Sequence, residues 1–583
     1  MMSTEELLKE FPPVSTAEWE QVIQKDLKGA DYAKKLIWQS PEGLAVKPYY
    51  RADDLAALTA LDAAPGAFPY LRGTRAEGGW FITEEVGEAD PEKANAQARA
   101  AIAAGAGQIA FTAVAVRNLS DLALLLAGLD EVPVHFTSAD EALLTLLAEW
   151  LATHPRTAIL SSGWNPLENP AFAAQLLSSL PANCVPFTIN AAVFEESGAT
   201  AVEETGFALS AGIDALAALG EHGIAADRAA AALTFSFSIG ADFFFSIAKL
   251  RAFRLVWAQA VESFGGSKDA ARARIAARTS RWNQAVYDAH NNILRGTEEA
   301  LAAILGGADS IAVAPYDECF RTPSAASRRL ARNTQLVLKL ESHLGSVTDP
   351  GGGSYYLETL TDFIARDAWK LMQKIESQGG YRKVSAAGTL AALLAQSLGA
   401  RNKLVAQRRS VLTGVNQFVN AQEKLLDSID PARIDSIRRA AQPFEQLRLR
   451  TERHAKATGN TPRILFAEIG DIKMRGARSQ FASDFFACAG FTLIKQRFDQ
   501  PEAIAAVDAD AIVLCSSDPE YPGLAAALLT ALQHAERTTP VIVAGNPDTA
   551  EELKAAGVAD FVHIRTNPLE FLTRWQQQFG IEA

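Results

Sequence analysis

From Trp80 to about residue 320, short β-rich runs alternate with Ala/Leu-rich stretches whose apolar residues recur at helical spacing. The runs begin near Trp80, Gln108, Val132, Thr157, Val185, Leu233, Ala273 and Ser310, with helices expected over Pro91–Ala104, Asp140–Ala152 and Gly240–Glu262 among others. Eight strand–helix units in roughly 250 residues is the arithmetic of a (β/α)8 barrel, with a doubly wound sheet as the competing arrangement. Before it, residues 1 to about 45 look helical and amphipathic, with Trp19, Val22, Ile23 and Leu27 on one face and an early break at Phe11-Pro12-Pro13. After it, the pattern turns helical and charge-rich: Phe363–Gln378, Leu390–Lys403, Ala421–Asp427 and Ile434–Arg453, interrupted by a turn at Val411–Asn416. Thr458–Pro462 is a linker signal. Beyond it, five apolar runs (Arg463–Glu468, Thr492–Gln496, Ala511–Cys515, Val541–Ala544, Phe561–Ile564) alternate with helices, a flavodoxin-like count. The expected plan is α/β throughout: an arm over 1–65, a TIM barrel over 66–355, a helical connector over 356–460 and a small α/β domain over 461–583.

Composition narrows this picture. A chain of 583 residues is too long for one core. A net charge of −13 gives no electrostatic support for a nucleic-acid partner. The N-terminus lacks an apolar leader, and no 18-residue run is free of polar interruption, so neither secretion nor a membrane span is expected. Cys184, Cys319, Cys488 and Cys515 are scattered, without pairing or metal spacing, which fits a cytoplasmic protein.

The segment from Arg463 to Phe491 carries the candidate chemistry. A buried strand ends at Gly470, Asp471–Gly476 reads as a polar loop, and a helix is expected from Ala477 to Ala489. Such a loop lies at the carboxyl edge of an open sheet, where ligands bind. It resembles the cobalamin-binding loop of the B12-dependent mutases, Asp-x-His-x-x-Gly, with Asp471 and Gly476 matched and Lys473 at the His position. A neutral imidazole offers cobalt a lone pair; a lysine ammonium, with a pKa of roughly 10.4, does not.

The middle of the chain extends the resemblance to the methylmalonyl-CoA mutases. Trp282–Asn292, Glu299–Ser310, Ala331–Leu336, Asp349–Glu358, Glu196–Thr200, Ala248–Ala252 and Gly414–Asn416 all read like that family's blocks, in order. The resemblance implies a barrel, a connector and a cobalamin-binding-type domain. It also implies a reaction linking methylmalonyl-CoA and succinyl-CoA through adenosylcobalamin. At the positions implied to be chemical the chain departs from it. Ala192 and Val193 replace a Tyr-His pair whose His would donate to the migrating carbonyl, and neither has a polar side-chain atom. Ala276, Ala277 and Arg278 stand in a run that should carry His, Ser and Gln; Arg278 and Arg281 are bulky charges where an open channel would be needed, with surface or interface pairing as the alternative. Pro69–Gly73 is kept, but Thr74–Gly79 lacks the tyrosine that should follow.

In the small domain Ser516 and Gly545 remain as vestiges, while Asp518 would cost several kcal/mol if buried where an apolar residue belongs. The expectation is therefore a small, non-catalytic subunit of a heterodimer: no cofactor or metal held by this chain, adenosylcobalamin in a large catalytic partner, no nucleic acid, no membrane. Two alternatives stand beside it. One is an active acyl-CoA mutase rearranged around Lys473, Glu195 or Arg278; the other is a module that holds CoA without chemistry.

Overall fold

The computed structural model describes residues 12–58, 61–181 and 183–582. Among them are three sheets. β1 (Trp38–Gln39) and β2 (Ala45–Val46) form a small antiparallel ribbon. The largest sheet holds β3 (Phe81–Val86), β4 (Gln108–Phe111), β5 (Val134–Phe136), β6 (Leu160–Ser162), β7 (Cys184–Val185), β8 (Phe187–Asn190), β9 (Leu233–Ile239), β10 (Ile275–Thr279) and β11 (Ser310–Ala312). All its pairings are parallel, in the order β7-β6-β5-β4-β3-β11-β10-β9-β8. Every β-rich run expected from the pattern carries a strand. The extra strand arises because Pro186, which has no N–H to give a ladder, divides the fifth run into β7 and β8. Thr188 spans the gap, its N–H donating to the Trp164 carbonyl at 2.9 Å and its Oγ1 to the Ser162 carbonyl at 2.6 Å. The result is a nearly closed parallel barrel.

Helices cover the outside of the barrel. Pro91–Ala103 starts with proline in its first turn and Asp90 as cap, the Asp90 side chain accepting from the Lys93 N–H. Between strands and helices, Phe235 packs 4.6 Å from Phe253 and 4.7 Å from Trp257, ring centre to ring centre. Tyr355–Ser377, expected to open the connector, is one 23-residue helix packed on the barrel helices Ala201–Glu221 and Phe243–Ser263. It buries Leu360, Ile364 and Ala368 in the barrel's core. The glycine turn before it is pinned by buried ions. Arg251 reaches Asp349 at 2.9 Å and Glu358 at 3.0 Å, and Arg72 bonds both carboxylates. Two sequence blocks far apart in the chain, Pro69–Gly73 and Asp349–Glu358, are thus one structural lock.

Several expected elements differ. The arm is not helical to residue 45: helices Thr16–Asp26 and Tyr32–Leu36 give way to the β1–β2 ribbon, turned at Gly43 with φ +86°. Phe11 lies outside the described residues. Ala421–Asp427 forms turns rather than a helix, because the Leu425 and Leu426 N–H groups both donate to Glu452 Oε2 at 2.9 Å. Ile434–Arg453 is split into Pro431–Ser436 and Gln442–Thr458, with Pro443 opening the second helix.

The last sheet holds β12 (Arg463–Glu468), β13 (Thr492–Arg497), β14 (Ala511–Cys515), β15 (Val541–Ala544) and β16 (Asp560–Val562). Its strands are parallel in the order β13-β12-β14-β15-β16, a doubly wound pattern with its switch point between β12 and β14. One face joins the rest of the molecule: Trp282 and Ala285 are buried in one cluster with Phe444, Phe485 and Phe571.

Candidate functional site

Barrel interiors are usually packed with layers of branched side chains. Here the register sets small residues side by side instead: Ala276 pairs with Ser236 on one neighbour and Ser310 on the other. Ala110, Ser161, Thr188 and Ala312 likewise line the interior, leaving a cavity of about 690 Å³. It extends from Arg272 and Arg274 at the amino ends of the strands to Asn190 and Arg281 at their carboxyl ends.

Charges close the carboxyl end. Arg278 makes a two-pronged contact with Glu85, at 2.9 and 3.0 Å, and reaches Glu318 at 2.7 Å. Arg281 donates to the other Glu318 oxygen at 2.7 Å and lies 3.6 Å from Glu196. Burial alone would raise the Glu318 carboxyl; Arg278 and Arg281 outweigh it and hold it down to about 2. Burial works against the charge on Arg278 too, but Glu318 and Glu85 keep that guanidinium firmly protonated. Behind this cluster, Glu195 accepts from Ser238 Oγ, Ser280 Oγ and Arg401 Nη2, each at 2.9 Å. Arg401 also stacks over Trp282, 4.6 Å from its ring centre.

Within the cavity wall, His135 Nδ1 lies 3.0 Å from Ser161 Oγ. Enclosure by protein pushes the imidazole down to about 4, with Glu85 opposing weakly, so it is neutral at pH 7.

In the small domain the expected polar loop is absent. Asp471 is a helix cap whose side chain accepts from the Met474 N–H at 2.7 Å, and the helix runs Ile472–Ala487. Lys473 and Gly476 therefore sit on the first turns of a helix, not on a loop, and both are exposed. Across the switch point, Glu520 Oε2 accepts from Ser516 Oγ and Ser517 Oγ, both at 2.6 Å, and from the Asp471 N–H at 3.0 Å. The serine hydroxyl bonds, with the Asp471 and Ser517 N–H groups, hold the Glu520 carboxyl down to about 2. Asp518 pairs with Arg478 at 2.9 Å.

A family model described as methylmalonyl-CoA mutase matches residues 39–119 and 174–465. A Porphyromonas gingivalis protein named methylmalonyl-CoA mutase small subunit is 36% identical over 620 aligned positions, covering 99% of each chain. The chain belongs to the methylmalonyl-CoA mutase family. A Streptomyces virginiae protein, also named as a small subunit, is 32% identical, covering 97% of this chain and 98% of its own. An Escherichia coli methylmalonyl-CoA mutase is 30% identical, covering 72% of this chain and 66% of its own.

The positions singled out by likeness to the methylmalonyl-CoA mutase family fall in two places. Ala192 and Val193 open the short helix Ala192–Glu196 after β8 and line the cavity with Ala276, Ala277 and Arg278. Asp471, Lys473, Gly476, Ser516 and Gly545 lie at the carboxyl edge of the small sheet. Arg278 and Arg281 line the cavity as charges in the channel and are not a surface pair: their carboxylate partners come from β3, from the helix after β8 and from the segment after β11. One expectation needs correction. Asp518 is not buried, its side chain being 45% exposed, so the feared desolvation cost does not arise. Sequence reasoning missed Glu85, His135, Glu318 and Glu520. Period-2 alternation in Thr83–Glu85 could have flagged Glu85 as inward-facing; the others lacked any local signal.

Proposed function

We propose that this chain is the small, non-catalytic subunit of a heterodimeric methylmalonyl-CoA mutase, whose large subunit holds adenosylcobalamin and interconverts methylmalonyl-CoA and succinyl-CoA. The observation that carries this reading is the carboxyl end of the barrel cavity. Ala192 and Val193 offer a carbonyl no polar atom, and Arg278 is committed to two carboxylates. The full-length likeness to proteins named as small subunits supports it. So does the arm: helix Thr16–Asp26 buries none of its residues, and Trp19 and Val22 are 45% and 58% exposed, as suits a segment that a partner covers.

On this reading the domains are an arm (1–65), a TIM barrel (66–355), a connector (356–460) and a degenerate cobalamin-binding-type domain of flavodoxin-like order (461–583). The residues at the cofactor position do not fit a cobalamin: Lys473 is an exposed ammonium on a formed helix, without a lone pair for cobalt. Four buried free thiols accord with a cytoplasmic setting.

Purification of the tagged chain from its host tests the assignment. A homologous, His-bearing chain should accompany it in equal amount, and the isolated chain given adenosylcobalamin and methylmalonyl-CoA should neither turn over nor retain corrinoid. Turnover by the chain alone would overturn it. The cavity of about 690 Å³ favours one second reading, a chain that still holds CoA without chemistry. Isothermal titration with CoA separates the two.

A further inference from the structure

The switch point of a doubly wound sheet is ordinarily a crevice open to ligand, because the flanking loops diverge there. In this chain the crevice is crossed by bonds. Glu520 Oε2 gathers two serine hydroxyls from the end of β14 and the Asp471 N–H from the end of β12. Tyr521 extends the seam by accepting from the Ser516 N–H at 3.1 Å and donating to the Ala544 carbonyl at 2.6 Å, at the end of β15. Gly470, at φ +75°, shows how tight the seam is: a Cβ there would lie 2.5 Å from Ser516 Oγ and 2.6 Å from Glu520 Oε2. At Gly545 a Cβ would lie 3.0 Å from Asp518 Oδ1 and 3.1 Å from Arg478 Nη1, so the open face of that glycine is occupied by the ion pair.

We infer that Glu520, with the Asp518–Arg478 pair, is a built-in occupant of the small domain's ligand crevice, excluding a cobalamin nucleotide tail independently of the missing cobalt ligand. The inference rests on the subunit reading, and goes beyond it by assigning the exclusion to side chains that fill the crevice. A carboxylate is well suited to this position: it satisfies the serine hydroxyls and backbone N–H groups that a ligand would otherwise recruit, and it repels a phosphate. Asp471 meanwhile caps the helix.

The test compares Lys473→His alone with Lys473→His combined with Glu520→Ala and Asp518→Ala, in the full chain. Adenosylcobalamin binding is read by equilibrium dialysis and by the visible spectrum of the corrinoid. The single variant should bind no better than the unaltered chain, and the triple variant at least tenfold better. Equal gains in both variants would overturn the inference, as would no gain in the triple variant. A second measurement needs no cobalamin: Glu520→Gln in the otherwise unaltered chain should speed amide hydrogen exchange at Asp471 about tenfold or more, and an unchanged rate would also overturn it. Cobalamin binding by the unaltered chain would instead count against the subunit reading, so the two failures are distinguishable.

Discussion

The mouth of the barrel cavity and the small-domain crevice stand at equivalent places, each at the carboxyl ends of parallel strands, yet they are built in opposite ways. In the barrel, small side chains such as Ala276 and Ser236 leave a cavity, and charges gather towards its two ends. In the crevice, Glu520 bonds across from one strand end to the next and Asp518 pairs with Arg478 beside it. A nearly closed ring of strands can frame a cavity whose walls do not meet across it. A crevice between two loops has no such frame, so its walls must either hold something or meet. The two strand-end sites are thus shaped by subtraction where the scaffold is stiff and by addition where it is not.

The rim is where that contrast breaks most readily. Glu318→Gln leaves two guanidinium groups without their shared carboxylate, and it should cost about 3–5 kcal/mol in denaturant unfolding. Adding Arg278→Met should recover part of the loss. Next comes pH. The neutral His135 has its pKa held at about 4 in the fold against an ordinary 6.5, so the unfolded chain binds more protons between those values. Its contribution to stability is complete above pH 6.5 and should fade as pH drops towards 4; His135→Gln should flatten that part of a stability–pH curve.

Smaller effects sharpen the comparison. Gly470→Ala, forced against Ser516 and Glu520 at positive φ, should cost about 1–3 kcal/mol, seen as a lower Tm. Removing the helix cap with Asp471→Ala should cost about 1 kcal/mol and speed hydrogen exchange in the first turn. Ala276→Val, which adds bulk to the hollow side, should change stability by less than about 0.5 kcal/mol. A cost above about 1 kcal/mol there would mean the interior is not hollow.

The eight barrel runs were legible because buried parallel strands read as short apolar stretches between helical ones. The cavity was not, since strands covered on both faces do not announce which side is inside. The run Asp471–Gly476, polar and ending in glycine, reads as a loop, although an Asp directly after a strand's closing glycine is also a helix cap, and the structure uses it as one. Ala421–Asp427 has strong helix formers, yet Glu452, far along the chain, claims its N–H groups. Glu318 and Glu520 gain their meaning only from partners that the fold delivers. The likeness to the family located the altered positions but could not show what stands beside them to compensate.

Trp282 is buried in the cluster that joins the small domain, Arg401 covers its face, and that same guanidinium grips Glu195 beneath the barrel rim. Both halves therefore share this rivet. On the proposed subunit reading, a companion clasping either half would meet the stiffness of the whole, and the polypeptide would act on it as a splint.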